Sequence, residues 1–346
     1  MIVGQWVSFG LGGADKASYY LIKGLIELGV DVRIFYNEWS FPKPSPQLDS
    51  GVLLLSRYDQ YKDLNVPMFE IKNVENLNNY NLNILNTHRG GDDFWLIPGL
   101  EKLHCNFKIV ETNFHGNLFT RADVRVFPSY TMIESRSIQY RYVIIPNPIM
   151  PKLSNYNLRK KFNIEGKFVF GRIGRPAKDI YSDTCLRAYK ILENENNFFI
   201  YVAPCNEARM DAHKLGIKNI LFIDQILDEV YISKLYNTFD VMCHSNKMGE
   251  TFGNTIAEAM MHGKPVVSHF GKDWPQAQKE VLGIDYSKHY VCENNAEKYS
   301  SLMNKLMTDK HEYDLWSLFL ELVANKYYNY KSVAAKYIEL YKRIVI

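Results

Sequence analysis

One stretch decides the fold of this chain: residues 241–267 read VMCHSNKMGETFGNTIAEAMMHGKPVV. A short apolar strand ends at Cys243, polar and flexible residues follow, and a helical pattern then runs from about Gly253 to His262. The run Gly263-Lys264-Pro265 ends that helix, and the apolar residues after it begin the next strand. A junction of this kind directs unpaired backbone N–H groups beyond the strand ends, where a phosphate group is favourably bound.

Two glutamates lie on either side of the predicted helix start. Glu250 is on the loop, and Glu258 is about one and a half turns into the helix, so one ligand could span both. Carboxylates accept hydrogen bonds in pairs from vicinal hydroxyls, which are the groups that sugars and ribose present. The alternative is a solvated helix with two surface glutamates, because charged helices produce this spacing by chance.

The stretch resembles the signature of the family 4 glycosyltransferases, which are retaining, nucleotide-sugar-dependent enzymes. These enzymes have the GT-B fold, in which two Rossmann-like β/α/β domains face each other across a cleft. The signature places seven residues between two glutamates, with Phe-Gly after the first and Gly-Lys-Pro-Val-Val after the second, as in this chain. The resemblance implies that Glu250 acts in catalysis by binding hydroxyls of the donor sugar and that Glu258 binds the ribose. The backbone N–H groups offered to the sugar and the diphosphate would come from Phe252, Gly253, Asn254 and Thr255.

The fold class predicted for the whole chain is α/β. Strands and helices alternate throughout, which favours parallel sheets with helices on both faces, and 346 residues suit two domains. Three prolines in residues 146–151 forbid a helix there and mark the best linker. We therefore expect an acceptor-side domain over 1–146 and a nucleotide-sugar donor domain over 147–329. The resemblance implies that the C-terminal helix, about 330–346, crosses back to the first domain.

The composition predicts a cytoplasmic protein. A net charge of +3 gives no strong steering of nucleic acid, and no apolar run approaches the ~20 residues of a transmembrane segment. The five cysteines are scattered and are typical of reduced thiols in a reducing compartment. Residues 1–150 hold 14 Lys/Arg and 15 Asp/Glu, which is no basic excess for anionic lipids, although a local patch leaves peripheral membrane contact open.

A second motif places cations after a strand. The sequence from Gly171 to Lys178 contains two Gly-Arg pairs and then the lysine. A departing diphosphate develops negative charge, which fixed cations stabilise; Arg offers a planar fork and Lys a point charge. The resemblance implies that one arginine and Lys178 act in catalysis. Arg172 is six residues before Lys178 and has the familiar spacing, but Arg175 is three before it and could bind the phosphate instead. The alternative is a charged surface turn.

Glycines follow the first predicted strand. Gly12, Gly13 and Ala14 open the first predicted helix, where the backbone can approach a ligand closely. An NAD-type fingerprint would need its third glycine at position 15, which is Asp15 and would repel a pyrophosphate. The segment instead resembles the glycine loop of the same glycosyltransferases, which approaches donor and acceptor.

Two histidines and three pocket residues complete the candidate site. His115 follows an apolar strand and resembles a family segment whose histidine lies beside the transferred sugar, which implies a catalytic role. His88 resembles an earlier segment and would shape the acceptor side, or it is a structural residue. Cys243 and His244 stand where the family has an apolar residue and proline. The nucleotide pocket is implied to include Ser245, Gln225 and Ile226.

The function that these features imply is retaining transfer of a sugar from a nucleoside-diphosphate sugar to an acceptor hydroxyl of a glycan, glycolipid or glycoprotein glycan. No Asp-x-Asp spacing occurs in the chain, so we expect no metal and no cofactor besides the nucleotide-sugar co-substrate. The partners are then the nucleotide sugar and a carbohydrate-containing acceptor. Two alternatives are a non-catalytic protein that binds nucleotide sugars or glycans, and an NAD-dependent oxidoreductase.

Overall fold

The computed structural model describes residues 1–43, 56–88, 95–114, 119, 121–134, 141–272 and 275–345. The chain divides into two compact units. The first unit contains Met1–Lys43, Leu54–Ile149 and Tyr327–Ile346, and the second contains Met150–Lys326.

The first unit has a seven-stranded parallel sheet with strand order 3-2-1-4-5-6-7. Its strands are β1 (Ile2–Trp6), β2 (Asp31–Tyr36), β3 (Met68–Glu70), β4 (Ile84–Thr87), β5 (Lys108–Thr112), β6 (Val124–Phe127) and β7 (Tyr142–Ile144). Its α-helices are α1 (Gly13–Glu27), α2 (Tyr58–Lys62), α3 (Leu96–Lys102), α4 (Thr131–Glu134) and, at the C-terminus, α14 (Tyr330–Val345). Two 3₁₀ helices span Glu38–Ser40 and Val74–Tyr80.

The second unit has a six-stranded parallel sheet with strand order 10-9-8-11-12-13. Its strands are β8 (Phe168–Ile173), β9 (Asn197–Val202), β10 (Ile220–Ile223), β11 (Val241–His244), β12 (Val266–His269) and β13 (Val291–Cys292). Its helices are α5 (Arg159–Phe162), α6 (Thr184–Leu192), α7 (Asn206–Lys214), α8 (Glu229–Thr238), α9 (Asn254–Met261), α10 (Gln278–Leu282), α11 (Ile284–Tyr290), α12 (Ala296–Thr308) and α13 (Lys310–Tyr327). The α/β prediction with two parallel sheets is confirmed.

The helix α14 packs on the first unit, as the resemblance implied. Val333 and Tyr341 are fully buried in the same apolar core as Leu21 of α1. A Cβ atom on Gly24 would lie 2.8 Å from Cβ of Ala334, so the two helices approach closely because position 24 is glycine. The C-terminal helix therefore belongs to the first unit, although the second unit precedes it in sequence.

Hydrogen bonds of two tyrosine hydroxyls connect α14 to residues near the ends of β4 and β5. Nδ2 of Asn86 donates to Oη of Tyr341 at 2.9 Å, and the hydroxyls of Thr112 and Tyr337 are 3.2 Å apart. Oγ1 of Thr112 also donates to Oδ1 of Asn86 at 3.0 Å. Because these groups are buried, the bonds satisfy polar atoms that would otherwise cost about 1–3 kcal/mol each.

Candidate functional site

Three loops that follow neighbouring strands of the second sheet are joined through their backbones. The loops after β8 and β11 meet at a bridge between Tyr181 and Asn246, beside which N of Lys247 donates to O of Ile180 at 2.9 Å. The loop after β12 joins them, because N of Lys272 donates to O of Lys247 at 2.8 Å. The carboxyl ends of parallel strands are where ligands bind in α/β sheets, so these loops form the candidate site.

The backbone around Glu250 is held by the loop after β12. The carbonyl of Glu250 accepts a hydrogen bond from N of Ala277 at 2.9 Å. A Cβ atom on Gly271 would collide with the backbone of Met248 and Gly249, so glycine is required for this contact. The backbone position of Glu250 is therefore fixed by the second unit itself.

The carboxylate of Glu250 has one oxygen engaged by two donors. Its Oε1 is 2.9 Å from Nε2 of His244 and also accepts a hydrogen bond from Nδ2 of Asn246. No hydrogen bond among the described residues engages Oε2, and the side chain is 20% exposed. One carboxylate oxygen of Glu250 is therefore held by the protein, and the other has no hydrogen bond from the described residues.

Arg172 is buried and supports the same loop. Its Nη2 donates to the carbonyl of Ser245 at 2.8 Å and to Oδ1 of Asn246 at 2.9 Å. The guanidinium carbon lies 4.8 Å from the centre of the Tyr201 ring, a cation–π distance. The side chain is 2% exposed, so its charge is fixed in place. The structure thus joins Arg172 to Glu250 through one amide, that of Asn246.

The other two predicted cations are exposed. Arg175 forms an ion pair with Asp179, with Nη2 and Oδ2 2.7 Å apart, and its side chain is 45% exposed. Lys178 lies between them in sequence, is exposed, and forms no ion pair with any residue that the structure describes. The turn ends at Tyr181, which forms the bridge to Asn246, so Lys178 belongs to the same set of loops as Glu250.

The start of α9 depends on Gly253. This residue has a φ of +99°, which side chains other than glycine rarely adopt. Phe252 beside it is buried and anchors the loop, whereas Asn254 and Thr255 in the first turn are half-buried. The predicted helix start is therefore placed directly after the loop of Glu250.

Glu258 lies inside α9 and is held by neighbouring aromatic residues. Its Oε2 accepts a hydrogen bond from the hydroxyl of Tyr236 at 2.8 Å. The ring of Tyr236 stacks on His262 with centroids 5.0 Å apart, and His262 bonds to Oγ of Ser233 at 2.8 Å. The Glu258 side chain is buried at 7% exposure, which is inconsistent with the alternative of two surface glutamates.

The predicted pocket residues lie in different surroundings. Ser245 is fully buried, and its hydroxyl is 3.0 Å from Nε2 of His269. Burial lowers the pKa of His269 to about 4, and its Nδ1 faces the carbonyl of Phe270 at 2.9 Å, so the neutral ring accepts from Ser245. Gln225 and Ile226 are half-buried on the connection between β10 and α8.

The glycine loop of the first unit is occupied by an acidic side chain. Gly12 caps α1, and its N–H donates to Oδ2 of Asp15 at 3.2 Å. A Cβ atom on Gly10 would collide with the same carboxylate. Gly13 and Ala14 form the first turn of α1 beside this negative charge. The carboxylate of Asp15 would repel a phosphate at this position, whereas a hydroxyl group could donate a hydrogen bond to it.

The structure describes one of the two predicted histidines of the first unit, His88. His88 is 3% exposed at the end of β4, and its Nε2 is 2.7 Å from Oε1 of Gln5. Burial lowers the pKa of His88 to about 3, so the ring is neutral near pH 7. Its Nδ1 has no hydrogen-bond partner among the described residues. His115 lies outside the described residues.

Sequence reasoning did not assign roles to several residues that hold this site. They are distant in sequence from the residues that they contact, so spacing along the chain does not connect the two. Ser268 on β12 lies 2.9 Å from Nδ1 of His244, and the hydroxyl of Tyr236 reaches Glu258 from the preceding helix. The parallel register of β11 and β12, which pairs His244 with Ser268, is the feature that brings the first pair together.

Comparison with protein families identifies the second unit. Residues 155–317 match the family model described as glycosyl transferases group 1. The chain carries a glycosyl transferase group 1 domain. This domain contains all the second-unit site residues described above, from Arg172 to Glu258. The chain is therefore a glycosyltransferase, as the resemblance implied.

Solved structures share the fold of the whole glycosyltransferase. HepE of Anabaena in complex with UDP-glucose is 14% identical, with a TM-score of 0.75, and the alignment covers 99% of this chain and 100% of that one. A glycosyltransferase of Rickettsia africae is 14% identical, with a TM-score of 0.72 and 99% and 98% coverage. The sucrose-phosphate synthase of Thermosynechococcus elongatus is 15% identical, with a TM-score of 0.72 and 99% coverage of both chains. The GT-B fold is thereby confirmed.

Two further comparisons gave negative findings. A comparison with curated proteins found no match. Within the part of the chain that the structure describes, no helix is both long enough and apolar enough to cross a lipid bilayer.

Proposed function

We propose that this chain transfers a sugar from a nucleoside-diphosphate sugar to an acceptor hydroxyl, with retention of the anomeric configuration and without a metal ion. The observation that carries the proposal is the carboxylate of Glu250, which is fixed through Oε1 and open at Oε2 inside a glycosyl transferase domain. The similar structure of HepE contains UDP-glucose, which supports a UDP-sugar as the first donor to test. The missing Asp-x-Asp spacing supports metal independence.

The donor residues have separate tasks in this proposal. Glu250 accepts hydrogen bonds from hydroxyls of the sugar, and Glu258, oriented by Tyr236, accepts them from the ribose. The first turn of α9 offers backbone N–H groups to the diphosphate. Lys178 adds a positive charge from the neighbouring turn.

Arg172 is the better candidate of the two arginines for the developing negative charge. Transition states are stabilised most by charges that are already fixed, and Arg172 is buried and held by Ser245 and Asn246. Arg175 would first have to leave its ion pair with Asp179. We therefore assign Arg172 to the diphosphate and expect a smaller contribution from Arg175.

The chemical step is a substitution on one face of the sugar. The bond between the anomeric carbon and the β-phosphate oxygen breaks, and a bond from the acceptor oxygen to that carbon forms. The acceptor hydroxyl gives its proton to the departing phosphate oxygen, so no separate general base is required. The acceptor is a carbohydrate-containing molecule, with Asp15 and His88 in the first unit as candidate contacts. A cytoplasmic location stays a prediction from the cysteine pattern.

Donor turnover tests the proposal directly. Purified full-length chain is incubated with UDP-glucose, UDP-galactose, GDP-mannose and ADP-glucose, with and without simple glycoside acceptors, and released nucleoside diphosphate is measured. We expect release from at least one donor, a large but measurable decrease of release in Glu250→Gln, and a product whose anomeric configuration by NMR equals that of the donor. An inverted product would contradict retention, and nucleotide binding without release from any donor would indicate the non-catalytic alternative.

A further inference from the structure

His244 is buried beside Glu250 and bonds through both ring nitrogens. Its side chain is 4% exposed, Nε2 is 2.9 Å from Oε1 of Glu250, and Nδ1 is 2.9 Å from Oγ of Ser268. The position follows directly from β11, whose last residue is His244. Proline, which the resembling signature has here, could form neither bond.

The hydrogen-bond directions follow from the groups involved. An ionised carboxylate only accepts, so Nε2 of His244 carries the hydrogen that it donates to Glu250. Nδ1 of the same ring is 2.9 Å from the hydroxyl of Ser268, a group that can either donate or accept. The carboxylate of Glu250 therefore sets which ring nitrogen carries the hydrogen, and the contact with Ser268 holds the ring in that orientation.

The second donor to Oε1 of Glu250 is the side-chain amide of Asn246, and a neighbouring residue also fixes its orientation. Nδ2 of Asn246 donates to Oε1 of Glu250, and Oδ1 of Asn246 accepts from Nη2 of Arg172. The reversed amide would face the guanidinium with a donor, so only this orientation satisfies both bonds. With both lone pairs of Oε1 used, the plane of the Glu250 carboxylate is fixed and Oε2 remains for hydroxyl groups.

We propose that His244, oriented by Ser268, is a positioning residue that holds the Glu250 carboxylate in register with the hydroxyls of the donor sugar. This inference rests on the proposed function, because it assigns Glu250 to the sugar. It goes further in predicting that the effect of His244 is transmitted only through Glu250 and only to the sugar part of the donor. The nucleoside diphosphate alone should bind without it.

Two matched substitutions separate this role from a purely structural one. His244→Gln can place an amide N–H near the position of Nε2, whereas the shorter His244→Asn can reach Ser268 but not Glu250. We expect His244→Asn to lower kcat for release of UDP from UDP-glucose, or for the fastest donor of the panel above, at least tenfold. We expect His244→Gln to stay within about threefold of the original chain. Both variants should bind UDP, or the matching nucleoside diphosphate, with Kd within twofold.

Two further variants keep the test decisive if His244→Asn folds poorly. Ser268→Ala removes one hydroxyl and should lower kcat several-fold with unchanged Kd for the nucleoside diphosphate. In a Glu250→Gln background, Ser268→Ala should not lower the remaining turnover any further.

The outcomes distinguish the two proposals. Turnover by His244→Asn or Ser268→Ala equal to that of the original chain overturns the positioning role, as do effects that persist without Glu250 or that weaken nucleoside diphosphate binding equally. An original chain that releases nucleoside diphosphate from no donor overturns the proposed function, and this inference with it.

Discussion

At the scale of single residues, Lys178 and Arg172 carry the same charge in opposite surroundings. Arg172 is buried with three protein contacts, whereas Lys178 is exposed and has no ion-pair partner among the described residues. Replacing Arg172 would therefore disturb the loop as well as the charge. Lys178 offers the cleaner test of the cationic contribution to catalysis.

We predict that Lys178→Ala lowers kcat for donor turnover by about 100-fold or more, because removing one group that stabilises the charge of the transition state costs roughly 2.7–4 kcal/mol in such sites. The unfolding midpoint should change little, since the side chain is exposed. Lys310→Ala, which removes an 86% exposed lysine of α13, is the matched control and should keep full turnover. Unchanged turnover in Lys178→Ala would remove this residue from the catalytic assignment.

His88 gives a prediction about acid stability. Its pKa is lowered by burial to about 3 in the folded chain, below the ordinary value of 6.5. As pH falls, His88 is protonated in the unfolded chain at a higher pH than in the folded chain. The free energy of unfolding therefore decreases as pH falls from 6.5 towards 3. We expect His88→Gln to reduce the slope of unfolding free energy against pH in this range by up to about 1.4 kcal/mol per unit.

Denaturant unfolding at several pH values measures this slope. His213→Gln, which replaces an exposed histidine on α7, provides the matched control and should give a curve parallel to that of the original chain. Equal slopes for the original chain and His88→Gln would show that His88 is not held neutral in the folded state.

The sequence predicts charged candidates for the site, but it does not predict how the structure holds them. Glu250 and Glu258 are recognisable because they lie in one continuous motif. The contact of His244 with Ser268 spans 24 positions and exists only because β11 and β12 pair in parallel at that register. Sequence spacing carries no information on such a pair.

At the scale of elements, the junction between the Glu250 loop and α9 depends on one backbone conformation. We predict that Gly253→Ala lowers the unfolding free energy by about 1–2 kcal/mol, since φ is +99° and an added Cβ would lie 3.0 Å from Cδ1 of Ile256. Gly253→Asn should cost less, because asparagine tolerates positive φ better. Urea unfolding measures both, and an alanine variant as stable as the original chain would contradict the assigned backbone strain.

The pairing of α1 with α14 gives a second prediction at this scale. Partial burial acts to raise the pKa of Glu27, but the hydrogen bond from Tyr330 and the ammonium groups of Lys23 and Lys331 lower it to about 2. The pKa is depressed in the folded chain, so its stabilisation is present above pH 4.5 and is lost as pH falls towards 2.

We expect Glu27→Gln to lower the unfolding free energy at pH 7 by about 1–2 kcal/mol, less than the full shift implies because the carboxylate is 29% exposed. The difference from the original chain should shrink between pH 4.5 and 2. Glu339→Gln, an exposed position on α14, serves as the control and should change stability by less than ~0.5 kcal/mol. A Glu27 difference that is independent of pH would contradict the electrostatic origin.

Elements with strong periodicity were predicted well, and a short edge element was not. The helix near Gly253–His262 is observed as α9, and the C-terminal helix is observed as α14. The strand β3 has only three residues and follows Pro67, a residue that disfavours central strands. It forms because it lies at the sheet edge, where the carbonyl of Pro67 still accepts from N of Ile34 at 2.9 Å.

At the scale of the whole molecule, each unit has a parallel sheet among the described residues, and the family match lies in the second unit. The group 1 domain covers residues 155–317, whereas the first unit is related to other glycosyltransferases through its fold. The acceptor contacts that we propose for the first unit would come from loops, which vary most between relatives of a fold. The sequence therefore indicated a nucleotide-sugar glycosyltransferase, and it did not indicate the acceptor.

Binding of nucleoside diphosphates tests the central claim, that the second unit is a donor site, most directly. Calorimetric titration of the full chain with UDP, GDP and ADP should show one of them binding at a single site. Glu258→Ala, which removes the carboxylate held by Tyr236, should weaken that binding at least tenfold. Absence of binding for all three nucleotides at millimolar concentration, or equal affinity in Glu258→Ala, would contradict the account.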